Sequence, residues 1–149
     1  MSDDPQHRQA VVDALFFDTT QAPNGESDLL DGAKTQDSLI ELLEYLVAGG
    51  WHFEVTSVNT DHAVDGNLGP LCHNPCGKAI DGGLLDGPHP GNYVDPSTQK
   101  FRDFLTYMVA CPVLEGVGLG GNYYNAANAA IGPNTFSDNT TPHIHFQVE

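Results

Sequence analysis

The chain has 149 residues, enough for a single domain with a core of its own. Its formal charge of −15, from 5 Lys and Arg against 20 Asp and Glu, allows no basic patch and so excludes a nucleic-acid backbone as partner. No stretch reaches the ~20 apolar residues of a membrane span. Met1-Ser2-Asp3-Asp4 lacks the basic start and apolar run of a signal peptide, so export by that route is not expected.

In chain order, the apolar-rich run from Gln9 to Phe17 predicts a first helix, and the polar stretch Asp18 to Gly32 predicts a surface loop. Ser38 with Glu41 three residues on forms a capping-box pattern. Leu39, Leu42, Leu43 and Leu46 then make a helical face, and Gly49-Gly50 ends it. Trp51, Phe53, Val55 and Ser57 alternate with His52, Glu54 and Thr56, the period of a strand with one buried face. Val58 to Gly91 is rich in Gly and Pro and reads as loop around one short strand, Gly77-Lys78-Ala79-Ile80. Phe101, Phe104, Leu105 and Met108, spaced by three and four, predict a helix over Ser97–Ala110 that Pro112 closes. Val113 to Leu119 is a strand weakened by Gly116 and Gly118, and Asn122 to Pro133 has no readable pattern. In the last strand Ile144, Phe146 and Val148 face one way, and His143, His145 and Gln147 the other. These elements predict an α+β fold, two to three helices on a small, mainly antiparallel sheet. Residues 1–149 form one domain, of which 1–34 are an N-terminal extension.

Two segments carry the chemistry. His73-Asn74-Pro75-Cys76-Gly77-Lys78-Ala79-Ile80-Asp81 and His143-Ile144-His145-Phe146-Gln147-Val148 together offer two imidazoles and a carboxylate, His73, Asp81 and His145. Three such ligands leave a fourth tetrahedral position open, which separates a hydrolytic zinc site from a structural one. Gly77 and Ala79 share a face with Asp81 and leave room beside it. The alternatives are an ordinary edge strand with solvated histidines, or a structural zinc on Cys72, His73, Cys76 and a terminal histidine. The latter requires adjacent residues to reach one ion and leaves Asp81 idle. The three cysteines, Cys72, Cys76 and Cys111, allow at most one bridge. Cys72 and Cys76 flank His73 and constrain its loop, as a disulfide or as packed thiols. His62 follows the Trp51 strand, while His7, His52 and His89 have no partner pattern and read as surface residues. Asp61 and Asp65 can orient a histidine or bind nothing.

These segments resemble the zinc metallopeptidases that include D-alanyl-D-alanine dipeptidases and carboxypeptidases, phage L-alanyl-D-glutamate endolysins and the hedgehog signalling domain. The shared pattern is a His, a Gly-x-Ala-x-Asp strand, and a terminal His-x-His or Trp-His strand, in that order, over about half the chain. The resemblance implies zinc held by His73, Asp81 and His145, with His143 acting outside the ligand set or on the transition state. It places His62 where the family binds substrate, able to polarise a carbonyl. Two departures stand out. Three residues, not two, separate His73 from Gly77, so one must bulge out. The family's acidic residue falls on Asn139, which makes Asp138 the nearest candidate for general base.

The function implied is hydrolysis of peptide bonds in peptidoglycan stem peptides. The protein would be phage-encoded, made in the host cytoplasm, and then either carried in the virion among tail proteins or released to the cell wall. The rival expectation is a non-catalytic virion or cell-wall-binding protein that keeps the fold.

Overall fold

A computed structural model describes residues 5–66, 68–119, 122–125 and 144–149. Among the described residues four helices, α1 (Pro5–Asp13), α2 (Gly25–Leu30), α3 (Asp37–Ala48) and α4 (Gln99–Val109), accompany one six-stranded sheet. Its strands are β1 (Phe16–Phe17), β2 (His52–Ser57), β3 (Ala79–Leu85), β4 (Leu114–Leu119), β5 (Asn122–Tyr124) and β6 (Ile144–Val148). They lie in the order β1-β2-β3-β6-β4-β5, every neighbouring pair antiparallel except β1 with β2. This is the α+β architecture expected, with one helix more than the reading allowed, because α2 forms a short turn inside the stretch read as loop.

The first helix starts and ends four residues earlier than its apolar run suggests. Pro5 suits a first helical position, where its fixed φ fits and its missing N–H costs nothing. Phe16 and Phe17 leave the helix to pair with Glu54 and Val55 of β2, and the Asp18 N–H extends the ladder by donating to the Val55 carbonyl at 2.9 Å. Tertiary pairing thus overrides the helical periodicity of that run. The capping box is not used: Gln36 is the N-cap of α3 and Ser38 lies inside the helix. In α4 the cap is Thr98, whose side chain accepts from the Phe101 N–H.

Alternation along the strands decides which residues meet the helices. Phe53 and Val55 of β2, Ile80 and Leu84 of β3, Val117 of β4 and Ile144, Phe146 and Val148 of β6 form one buried cluster with the leucine face of α3 and Phe101, Phe104, Leu105 and Met108 of α4. Phe146 sits at its centre, with ring centroids 5.6 Å from Phe53 and 6.0 Å from Phe104. Truncation there removes a fully buried ring whose neighbours come from three elements and cannot all collapse inward. Phe146→Ala is expected to lower the unfolding free energy by about 3–5 kcal/mol, measured as a shifted urea midpoint. A loss under 1 kcal/mol would mean the core is not packed this way.

The other face of the same strands carries Asp81 and His145, which are paired across β3 and β6. Glycine or alanine occupies several neighbouring positions of that face: Gly83 on β3, Gly116 and Gly118 on β4, and Ala79 beside Gln147. Small residues beside the two polar side chains leave the space a site requires.

Candidate metal centre

The centre begins with the loop between β2 and β3. The Asp65 carboxylate accepts from the backbone N–H groups of His73 at 2.7 Å and Asn74 at 3.2 Å, and the Asn74 side chain donates to the His62 carbonyl at 2.9 Å. Burial alone would raise the Asp65 pKa, but the two backbone donors, helped by the His62 and His73 rings, outweigh it and hold the carboxyl below its ordinary value. Asp65 therefore organises the loop. Asp61 anchors it elsewhere, accepting from the backbone and side chain of Asn24.

Cys72 and Cys76 form a disulfide with Cα atoms 5.5 Å apart, closing a ring around His73, while Cys111 is buried as a free thiol. This is the first of the two arrangements expected for the pair. The Gly77 N–H donates to the His73 carbonyl and the Lys78 N–H to the Cys72 carbonyl, so the additional residue is taken up in a closed turn. Gly77 has φ +66°, and a Cβ there would lie 2.0 Å from the Lys34 carbonyl oxygen, so no other residue fits the turn. A Cys72→Ser, Cys76→Ser double variant is expected to lose about 2 kcal/mol of stability, the loop-closure value for so short a ring. Chemical unfolding without reductant measures it. An unchanged midpoint would show that the backbone bonds hold the turn unaided.

The loop delivers His73 to Asp81. Its Nε2 lies 3.0 Å from Asp81 Oδ1, and His145 Nδ1 lies 3.0 Å from the same oxygen. All three residues offer a ligand atom within 4.8 Å of one another, with His73 and Asp81 buried and His145 half-buried. Four ligands around one tetrahedral ion with bonds of 2.0–2.1 Å stand about 3.4 Å apart, so the three atoms already hold a ligand-like spacing. His73 supplies a further test. It is 3 % exposed, yet neither ring nitrogen has an aligned hydrogen-bond partner among the described residues, although Nε2 is close to Asp81. A buried polar atom that approaches a carboxylate without hydrogen-bond alignment is anomalous unless both lone pairs converge on a third body. The donor set fits a metal ion.

His62 stands at the mouth of this cluster. Its Nε2 is 4.0 Å from Asp81 Oδ2, and its ring stacks on His73 at 3.8 Å with an interplanar angle of 9°. His62, Asp65 and His73 form a second metal-capable group that shares His73 with the first. Parallel rings send their lone pairs in parallel directions, which makes His62 a poor co-ligand for the ion between His73, Asp81 and His145. Its Nδ1 lies 2.7 Å from the Ala63 carbonyl, an acceptor only, so Nδ1 carries the proton in the neutral ring.

Of the predicted site residues, His62, His73, Asp81 and His145 are brought together. Asp138 and His143 lie outside the described residues. Two further residues meet the site without having been singled out, Gln147 and Glu115. Gln147 Oε1 is 2.7 Å from His145 Nε2, and the Gln147 amide N–H donates to Glu115 Oε2. The alternation of β6 puts Gln147 on the histidine face, but nothing local signals Glu115. Farther along the same face the buried Glu54 accepts from the hydroxyl of the half-buried Tyr93; partial burial, with the hydrogen bond to and charge of Glu54, pushes the Tyr93 pKa up. No helix among the described residues is long and apolar enough to cross a membrane. Compared with known proteins, the chain matches no protein family, no curated protein and no solved structure.

Proposed function

We propose that this chain is a zinc metallopeptidase that hydrolyses peptide bonds in peptidoglycan stem peptides, encoded by a phage for lysis or for wall opening at the tail tip. The observation that carries the reading is the single carboxylate oxygen of Asp81 at 3.0 Å from both His73 and His145, on a sheet face whose neighbours are small. Two imidazoles and a carboxylate suit zinc, and three protein ligands leave one position for substrate chemistry. Bound there, zinc would supply Lewis-acid polarisation of the scissile carbonyl. The substrate class rests on the resemblance in the order of the His73, Gly77-x-Ala79-x-Asp81 and His143-x-His145 elements.

The chain's own residues then divide the work. His73, Asp81 and His145 hold the ion, while Asp65 and the disulfide hold the loop that presents His73. His62, 26 % exposed along its side chain, faces incoming substrate. Its neutral ring has a bare Nε2, which accepts a hydrogen bond from a substrate N–H; donating to a carbonyl requires the imidazolium form. The general base is Asp138. Among the described residues, the other carboxylates of this face are engaged, Asp65 by the loop backbone, Glu54 by Tyr93 and Glu115 by Gln147. The Cys72–Cys76 disulfide favours work outside a reducing cytosol, at the wall or on the virion.

One observation favours a second reading, a non-catalytic virion or cell-wall-binding protein that retains the fold. Asn139 stands where the resembling enzymes carry their acidic residue. Elemental analysis of the purified protein, followed by an assay for new amino groups released from purified peptidoglycan, separates the two. About one zinc per chain with amine release supports the peptidase. Zinc without release from several wall types supports the binding protein, and no zinc removes the peptidase.

A further inference from the structure

The loop that presents His73 is gripped at both ends by residues 28–36. At its start the buried Asp28 carboxylate accepts from the backbone N–H and the hydroxyl of Thr60, both at 2.7 Å, and the Lys34 carbonyl accepts from the Asn59 side chain at 2.7 Å. At its end Gln36 donates from its backbone N–H to the Gly77 carbonyl at 3.0 Å and from its side chain to the Cys76 carbonyl at 3.1 Å. The Asn59 side chain joins the two ends by donating also to the Pro75 carbonyl at 3.3 Å. His73 therefore stands on a loop whose pose is set from outside the sheet.

One side chain of α1 fastens the gripping segment. Arg8 is 1 % exposed, and its guanidinium donates to the Leu29 carbonyl, the Thr35 hydroxyl and carbonyl, and the Asp37 carboxylate at 2.7–3.0 Å. A planar fork with fixed donor directions holds these four acceptors in one arrangement, which neither a lysine nor an apolar side chain of that length does. Burying the cation costs desolvation that the ion pair with the half-exposed Asp37 offsets only in part, so the group adds little to stability and is accounted for by the geometry it imposes.

We infer that Arg8 is a positioning residue for the metal centre, which it serves by fixing residues 29–37 so that they dock the loop carrying His73. The consequence for zinc rests on the proposed metal site, whereas the docking of the loop stands on the protein alone. An ion that binds only the docked loop loses affinity in proportion to the fraction of chains that hold it docked. Part of the N-terminal extension is thereby built into the frame of the centre.

Two measurements test this role, zinc competition against a chromophoric chelator and amide hydrogen exchange at Gln36 and Gly77 in metal-free protein. Those two N–H groups donate to the Gly77 and His73 carbonyls, so they report the docking and the closure of the loop. Arg8→Met should weaken zinc binding about tenfold and speed exchange at both amides by a similar factor, while the β6 amides stay near the parent. Asn59→Leu, which cuts the last link to the loop, should do the same. Should Arg8→Met fail to fold, Thr35→Val takes its place, removing one acceptor of the guanidinium at nearly equal volume. Leu46→Ala is the control for lost stability, a fully buried change on α3 outside this set of bonds, and it should leave both readouts within about threefold of the parent. Zinc affinity equal to the parent's in the Arg8 and Asn59 variants overturns the inference, as does weaker binding with unchanged exchange or an equal response from Leu46→Ala. A parent that binds no zinc ends the metallopeptidase reading; faster exchange at Gln36 and Gly77 then upholds the docking role of Arg8, and unchanged exchange overturns it.

Discussion

Asp81→Ala is expected to weaken zinc binding by about 10²- to 10³-fold and to abolish any hydrolysis that depends on the ion. If three ligands share the ~10 kcal/mol typical of protein-bound zinc, each carries about 3 kcal/mol, and every 1.4 kcal/mol is tenfold. Asp81 is also the member that both histidines approach, so its loss leaves two imidazoles with no anionic partner between them. Stability should respond differently with and without metal. In metal-free protein Asp81 is only 5 % exposed, and the melt with chelator reads what its removal costs apart from the metal. With zinc at 100 times the dissociation constant, the parent should gain about 2.7 kcal/mol that the variant does not. Thermal melts with zinc and with chelator, beside a competition titration, measure both effects. If Asp81→Ala retains the parent's affinity and melts identically, the ion is not held here.

Asp138→Ala is expected to lower turnover on peptidoglycan by about 10²- to 10⁴-fold, the range for a positioned general acid or base, while zinc content stays that of the parent. Hydrolysis of an amide needs a group to take a proton from the attacking water and another to reach the leaving amine. The described carboxylates near the centre are engaged in holding structure or belong to the proposed ligand set. Asp138 is seven residues before His145 and one before the position that carries the acid in the resembling enzymes. Asn139→Ala should therefore change turnover little. His143→Ala should spare the metal and lower turnover, because the proposed mechanism assigns it to the developing oxyanion and not to the ligand set. The two readouts separate roles that a single activity assay would merge, since losing a ligand moves both and losing a base moves one. Equal cleavage by Asp138→Ala and the parent would remove Asp138 from the mechanism.

The elements legible in the sequence are those whose signal is local. Phe101, Phe104, Leu105 and Met108 mark α4 because helical period and burial coincide there, and Ile144, Phe146 and Val148 mark β6 because strict alternation admits one register of faces. The same alternation set His145 on the polar face and put Asp81 on the side of Gly77 and Ala79, while the register of β3 on β6 decided that the two stand opposite each other. Tertiary structure decided what depends on distant partners. Phe16 and Phe17 continue an apolar run that reads as helix, yet become strand because β2 offers them a parallel ladder. Asp65 could orient a histidine or bind nothing until the loop closed its carboxylate on two backbone N–H groups. The Cys72–Cys76 pairing required the turn around His73 to bring the Cα atoms to 5.5 Å, where thiols alone would have satisfied the spacing equally well. Glu115 was invisible because a bulge breaks the period that would have announced its side, and its partner is 32 residues away. Period and composition report the forces acting within a few residues, whereas register, bulges and buried hydrogen bonds are settled by which distant surfaces the folded core brings together.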